Sequence, residues 1–136
     1  MKASIKLLVR ERAKYCCEYC IAQLKFSADT FSTEHIIPIV KNGTDAVDNL
    51  AFSCQYCNNL KYTAIHAIDP ATGNMVNIYN PRKDIWTDHF EWYDNFTIIR
   101  GISSTGRATE NRLKLNRIGL VNLRKVLFET GFHPPF

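Results

Sequence analysis

The sequence predicts an α+β fold, and three observations lead to this prediction. Short segments rich in β-branched and aromatic residues are separated by turn signals, segments with helical spacing lie near both ends, and two Cys-x-x-Cys pairs occupy the first half of the chain. The 136 residues, 46% of them hydrophobic, have the length of one domain with a modest core. We therefore expect a single domain over residues 1–136, with a core at 10–65 and an extension at 66–136.

The first half of the chain predicts a helix, two strands and a second helix. Apolar residues at 4–15 recur at three- and four-residue steps, which predicts an amphipathic helix with Ser4 as its N-cap. The β-branched segment 33–40 predicts a strand, and residues 49–53 predict a second strand after a Gly-containing turn. Residues 54–64 then predict a helix.

The second half predicts strands followed by helices. A strand is expected at 75–79, and a hairpin at 89–93 and 96–102 around Asp94-Asn95. Helical spacing follows at 106–115 and 119–130, with Gly131 as a C-terminal stop.

Four cysteines form two pairs with the same two-residue gap, Cys17/Cys20 and Cys54/Cys57. Two such pairs suit the tetrahedral four-thiolate coordination of structural Zn²⁺, which leaves no open position for substrate. The N-terminus has no uninterrupted apolar segment typical of a secretory signal, so we expect a cytoplasmic protein, where such pairs bind metal more often than they form disulfides. Disulfides remain the alternative. Cys16 has the wrong spacing to Cys20 and is expected not to be a ligand.

The charge is mildly basic, with 17 Lys and Arg against 13 Asp and Glu and a formal net charge of +4. This balance is compatible with a polyanionic partner without requiring one. Basic residues concentrate near the C-terminus, where a solvated helix face is the alternative to a phosphate-contacting one. Since no segment approaches about 20 consecutive apolar residues, we expect no membrane span.

The two cysteine pairs enclose the string Glu34-His35-Ile36-Ile37-Pro38, a Gly-containing turn and Asn49-Leu50, and the second pair continues as Asn58-Asn59-Leu60-Lys61. In these features, over about residues 10–61, the chain resembles the HNH endonucleases, also called His-Me finger or ββα-metal nucleases, in their four-cysteine variant. The resemblance implies a ββα-metal core and metal-dependent hydrolysis of phosphodiester bonds, with double-stranded DNA as the expected partner.

The resemblance also implies roles for four residues. His35 would be the general base that activates water, Glu34 and Asn58 would hold one Mg²⁺ or Mn²⁺, and Asn49 would brace the loop behind His35. The alternatives without a catalytic role are a core histidine for His35 and an ordinary turn residue for Asn49. Because neighbouring side chains of a strand point to opposite faces, Glu34 and His35 would diverge unless the backbone is distorted.

We expect a small set of basic residues to contact nucleic acid. These residues are Lys61, Arg82, Arg107 and Arg112. Two other functions stay open: a non-catalytic zinc-stabilised nucleic-acid-binding module, and a partner-activated subunit of a defence or recombination complex. Whether the protein acts as a monomer or a homodimer also stays open. A zinc deaminase is disfavoured because the chain lacks the His-x-Glu and Pro-Cys-x-x-Cys strings.

Overall fold

A computed structural model describes all 136 residues, and in it the chain forms two compact units. Unit 1 contains Met1–Ile65 and Asn80–Asp84, and unit 2 contains His66–Tyr79 and Ile85–Phe136. The helices and strands are α1 (Ala3–Arg12), β1 (Phe31–His35), β2 (Leu50–Cys54), α2 (Gln55–Lys61), β3 (His66–Ile68), β4 (Met75–Asn77), α3 (Trp86–His89), β5 (Phe90–Tyr93), β6 (Ile98–Gly101), α4 (Ser104–Leu113) and α5 (Ile118–Glu129). The predicted α+β class, with an N-terminal helix, hairpins and C-terminal helices, is confirmed. The single domain stays a prediction.

Unit 1 is built around an antiparallel hairpin. Strand β1 pairs with β2, and Glu34 lies opposite Ala51 while His35 lies opposite Leu50. Helix α1 covers one face of this hairpin, and a small core forms between them. Its buried members are Val9, Ala13, Leu50 and Phe52, with Ile5, Leu24 and Phe31 packed around them. Each large buried apolar side chain contributes about 1.5–3 kcal/mol, so this core stabilises unit 1 only modestly.

Strand β1 is shorter than predicted, because it ends at His35 instead of continuing to residue 40. The backbone N–H of Ile36 still donates to the carbonyl of Asn49 (2.8 Å), but the next polar backbone groups, those of Ile37, bond to the side chain of Asn49. Pro38 has no N–H to continue the ladder, and a short 3₁₀ helix follows at Ile39–Lys41. The strand therefore gives way to a loop directly after His35.

The predicted cap of the first helix is also wrong. Helix α1 begins at Ala3, its N-cap residue is Lys2, and no side chain caps it. Ser4 lies inside the first turn instead. None of the helices combines the length and the apolar composition that a membrane span requires.

Unit 2 contains two antiparallel hairpins and three helices. The β5–β6 hairpin pairs Phe90 with Gly101 and turns around Asp94-Asn95 as predicted, although β5 begins one residue later than predicted and β6 covers only Ile98–Gly101. Strand β3 and the short helix α3 were not predicted; β3 pairs with the expected strand β4. Helix α4 begins earlier than predicted because the hydroxyl of Ser103 accepts the N–H of Gly106 (2.9 Å) and caps it.

A buried arginine links helix α5 to the β5–β6 turn. Arg124 is 3% exposed, and its guanidinium donates to the carbonyls of Thr97 (3.0 Å) and Leu115 (2.7 Å) and to the amide oxygen of Asn116 (3.1 Å). It also lies 5.5 Å from the centre of the Trp92 ring. One cation thus satisfies three oxygens from separate segments of unit 2.

We expect Arg124→Met to lower the free energy of unfolding of unit 2 by about 3 kcal/mol, because the buried carbonyls of Thr97 and Leu115 would lose this donor and the Asn116 oxygen would lose one of its two. Urea unfolding followed by tryptophan fluorescence measures this directly, since Trp86 and Trp92 both lie in unit 2. The matched control is Lys125→Met, which removes an exposed cation from the same helix. Equal midpoints for the two variants would contradict the structural role of Arg124.

Candidate active site and metal centre

The four cysteines of the two pairs form one buried cluster. The sulfurs of Cys17, Cys20, Cys54 and Cys57 all lie within 4.8 Å of one another, and no disulfide joins them. The Cys20 and Cys54 sulfurs are 3.7 Å apart. Ligands placed about 2.3 Å from a tetrahedral Zn²⁺ stand about 3.8 Å from each other, so the spacing fits this ion. The cluster is consistent with structural zinc.

Charge and hydrogen bonding support the same interpretation. Burial raises the pKa of the Cys17 thiol, so a bound cation is the natural means of keeping such sulfurs as thiolates. The Cys54 sulfur accepts the N–H of Cys57 (3.4 Å) at the start of α2. Cys16 is not part of the cluster, and its thiol donates instead to the carbonyl of Lys14 (3.4 Å).

Backbone and side-chain hydrogen bonds hold the first cysteine pair against β2. The N–H of Glu18 donates to the carbonyl of Phe52 (2.9 Å), and the Glu18 carboxylate accepts the N–H of Phe52 (2.9 Å). The second pair needs no such tether, because Cys54 ends β2 and Cys57 lies in the first turn of α2. The sulfur cluster therefore fixes where β2 ends and where α2 begins.

His35 is the last residue of β1, and its side chain is 27% exposed. Its Nε2 lies 2.6 Å from Oδ1 of Asp45, whose side chain is 76% exposed. The sequence analysis did not single out Asp45, which it treated as part of a turn. The sequence carried only a weak signal for this role, an acidic residue in the loop between His35 and Asn49.

Asn49 closes the loop that follows His35. Its amide oxygen accepts the N–H of Ile37 (2.9 Å), and its amide nitrogen donates to the carbonyls of Ile37 (3.0 Å) and Thr44 (2.8 Å). The loop is so tight that a Cβ on Gly43 would lie 1.7 Å from the Ile37 oxygen, so no larger residue fits there. The Asn49 side chain thus bonds the loop in which it was expected to act, while its catalytic contribution stays a prediction.

Glu34 points into the interior of unit 1, on the face opposite His35. It is 6% exposed, and the hydroxyl of Tyr19 donates to its Oε1 (2.5 Å). Burial raises the pKa of Glu34, while the positive charge of Lys61 and the Tyr19 hydrogen bond act in the opposite direction. Tyr19 lies between the two cysteines of the first pair, and the sequence analysis missed it.

The residues predicted for catalysis are thus only partly brought together. His35 is near enough to influence the charge of Glu34, although the two side chains have different hydrogen-bond partners. Asn58 is half-buried on α2, directly after the zinc-cluster residue Cys57. No hydrogen bond joins Asn58 to Glu34 or His35.

Lys61, one of the four basic residues expected to contact nucleic acid, lies in the interior of the protein. Lys61 is 1% exposed, so it cannot reach a phosphate, and its ammonium donates to the carbonyl of Ile36 (2.8 Å). Burial lowers the pKa of Lys61, and Glu34 opposes this. Its position behind the backbone of β1 makes it a support for the strand end that carries His35.

Arg82 and Arg107 both form ion pairs within the protein. Arg82 is paired with Glu18, and both side chains are largely buried, which attaches segment Asn80–Asp84 to the first cysteine turn of unit 1. Arg107 forms a two-pronged pair with Asp69, with distances of 3.0 and 2.8 Å. This pair lowers the pKa of Asp69. Arg112 alone of the four residues is exposed, near the end of α4.

We expect Cys54→Ser to abolish stoichiometric zinc binding and to lower the melting midpoint of the protein by about 15 °C. Loss of the bound ion would remove several kcal/mol of folding free energy from a protein with a small core. Zinc content by atomic emission and melting by far-UV circular dichroism provide the measurements. Cys16→Ser is the matched control and should retain one zinc per chain. Two variants with the same zinc content would argue against the four-cysteine site.

Comparison with protein families gives one match, in which residues 17–63 correspond to the family described as HNH endonuclease. The matched range contains all four cluster cysteines, together with Glu34, His35, Asn49 and Asn58. Comparison with curated proteins found no match, and neither did comparison with solved structures.

Proposed function

We propose that this chain, which carries an HNH endonuclease family domain at residues 17–63, is a metal-dependent endonuclease that hydrolyses phosphodiester bonds of double-stranded DNA. The observation that carries the proposal is the position of His35. Its imidazole is partly exposed at the end of β1, in front of a loop that Asn49 and the close approach at Gly43 hold in one conformation. A histidine in an ordinary core would be neither exposed nor supported in this way.

In this mechanism His35 acts as the general base. Because an imidazole can accept a proton at neutral pH, His35 takes one from a water molecule whose oxygen attacks the phosphorus. The bond from phosphorus to the 3′ oxygen breaks, and that oxygen takes a proton from solvent. The products carry a 5′-phosphate and a 3′-hydroxyl, which end-labelled product mapping can identify.

Glu34 and Asn58 would hold the catalytic cation. A carboxylate and an amide oxygen are the hard donors that Mg²⁺ and Mn²⁺ prefer, so the donor set fits such an ion. When bound, the cation supplies positive charge that stabilises the phosphate oxygens. Tyr19 engages Oε1 of Glu34, which leaves Oε2 as the oxygen offered to the ion. Zinc in the cysteine cluster would serve folding alone.

Contacts to DNA are proposed for Arg112, because its side chain is exposed near the end of α4. The family domain supports a nucleic-acid partner, we propose a DNA duplex, and the net charge of +4 is compatible with it.

One observation favours a second function, a non-catalytic nucleic-acid-binding module. Glu34 is 6% exposed and bonded to Tyr19, and a buried carboxylate is less accessible to a cation than the family mechanism needs. The two functions differ in a single measurable property, because the binding module would retain DNA without cutting it.

We expect the zinc-loaded protein to nick supercoiled plasmid when Mg²⁺ or Mn²⁺ is added, and His35→Ala to reduce the rate at least about 100-fold, because the general base is lost. The control is His66→Ala, which removes an exposed histidine of β3. Gel-shift binding with the same variants distinguishes the two functions. Unchanged cleavage by His35→Ala would exclude the assigned base, and binding without cleavage by the wild type would favour the second function.

We expect Asn58→Ala to reduce cleavage by about 10- to 100-fold while the melting midpoint and zinc content stay at wild-type values, since Asn58 would contribute to the cation site and not to the core. Raising the Mg²⁺ concentration should recover part of the rate. The neighbouring Asn59→Ala is the matched control, because the Asn59 amide oxygen already accepts a bond from Gln55 (2.8 Å). A larger loss for Asn59→Ala would move the ligand to that residue.

A further inference from the structure

We propose that Asp45 is a positioning residue for His35, whose carboxylate fixes the imidazole with its hydrogen on Nε2 so that Nδ1 is the nitrogen that accepts the proton from water. This inference deepens the proposed function and rests on it. It concerns the side chain that holds His35 in this orientation, a role that neither the sequence analysis nor the family match at residues 17–63 assigns.

The direction of the hydrogen bond follows from the chemistry of the two groups. Nε2 of His35 lies 2.6 Å from Oδ1 of Asp45. A carboxylate offers only acceptors, so the histidine nitrogen is the donor. A neutral imidazole with its hydrogen on Nε2 has its lone pair on Nδ1. The distance is short, as expected for a hydrogen bond to a charged acceptor.

An exposed carboxylate positions a partner only when its own backbone is held, and Asp45 meets this condition. The residue before it, Thr44, has its carbonyl bonded to the side chain of Asn49 (2.8 Å), and the residue after it, Ala46, has its carbonyl bonded to the backbone N–H of Asn49 (2.8 Å). Asn49 therefore holds both neighbours of Asp45.

The same asparagine also holds the chain that leaves His35. Its side chain bonds both polar backbone groups of Ile37, and its carbonyl accepts the N–H of Ile36 (2.8 Å). One residue thus fixes the two backbone segments that present His35 and Asp45 to each other. The pair is a prearranged contact, unlike a surface ion pair formed by two mobile side chains.

The test is the tautomer of His35, measured by long-range ¹H–¹⁵N correlation spectroscopy on zinc-loaded protein with ¹⁵N-labelled histidine, at a pH where the imidazole is neutral. The His35 signal is assigned by its loss in His35→Gln. We expect the Nε2–H form in the wild type and a mixture of both tautomers in Asp45→Ala. Because the Asp45 side chain is 76% exposed, this substitution should leave the zinc content and the melting midpoint unchanged.

The control is Asp48→Ala, which removes an exposed acid from the same loop. Both variants lose one negative charge, so any gain in DNA affinity is shared. Only Asp45→Ala should change the tautomer and reduce kcat, by about 10- to 100-fold with KM close to that of the control.

A wild-type signal in the Nδ1–H form, or an Nε2–H form that persists in Asp45→Ala, would overturn the positioning role. Equal kcat values for the two variants of a cleaving enzyme would also overturn it. A different outcome would contradict the proposed function alone. In that case wild-type protein shows the Nε2–H tautomer but cleaves no DNA with Mg²⁺ or Mn²⁺.

Discussion

Four sulfur atoms from two turns, separated along the chain by β1 and β2, determine where the candidate catalytic residues lie. Cys54 is both the last residue of β2 and the N-cap of α2, so holding its sulfur fixes the first turn of the helix that carries Asn58. The apolar core of unit 1 is small, and a unit of this size gains little stability from burial alone. A tetrahedral ion in the cluster would supply the missing stability without occupying the surface that faces substrate.

Around this cluster, polar side chains hold the backbone in place through hydrogen bonds, a role that apolar packing has in proteins with a larger core. Asn49 replaces the hydrogen bonds that β1 loses after His35, and buried Lys61 bonds the carbonyl of Ile36 from the other side. A buried ammonium is costly unless it is satisfied, and here one carbonyl and the nearby charge of Glu34 compensate it. The backbone on which His35 sits is thus held at consecutive residues, which explains how a partly exposed imidazole can keep one orientation.

Local patterns were enough to predict the α+β class, the β5–β6 hairpin, both C-terminal helices and the four-cysteine cluster, because each depends on spacing within a short segment. Contacts that depend on a distant partner could not be predicted from such patterns. Arg82 pairs with Glu18, which is 64 residues away, and Arg107 pairs with Asp69, 38 residues away. Lys61 is polar in sequence but buried in the fold. The early end of β1 has the same origin, since Asn49 competes for the backbone groups of Ile37 that a longer strand would have used.

The buried state of Glu34 connects the cysteine cluster to the proposed cation site. Its partner Tyr19 lies between Cys17 and Cys20, so a sulfur-bound ion would hold the hydroxyl that orients the carboxylate. Burial penalises the charged form of Glu34, and the charge of Lys61 and the Tyr19 hydrogen bond offset part of this penalty. Under the proposed function, a divalent ion held by Glu34 would offset more of it. Burial would then make Glu34 harder for a cation to reach and would also increase the gain from binding one, while Tyr19 would keep the carboxylate in one orientation.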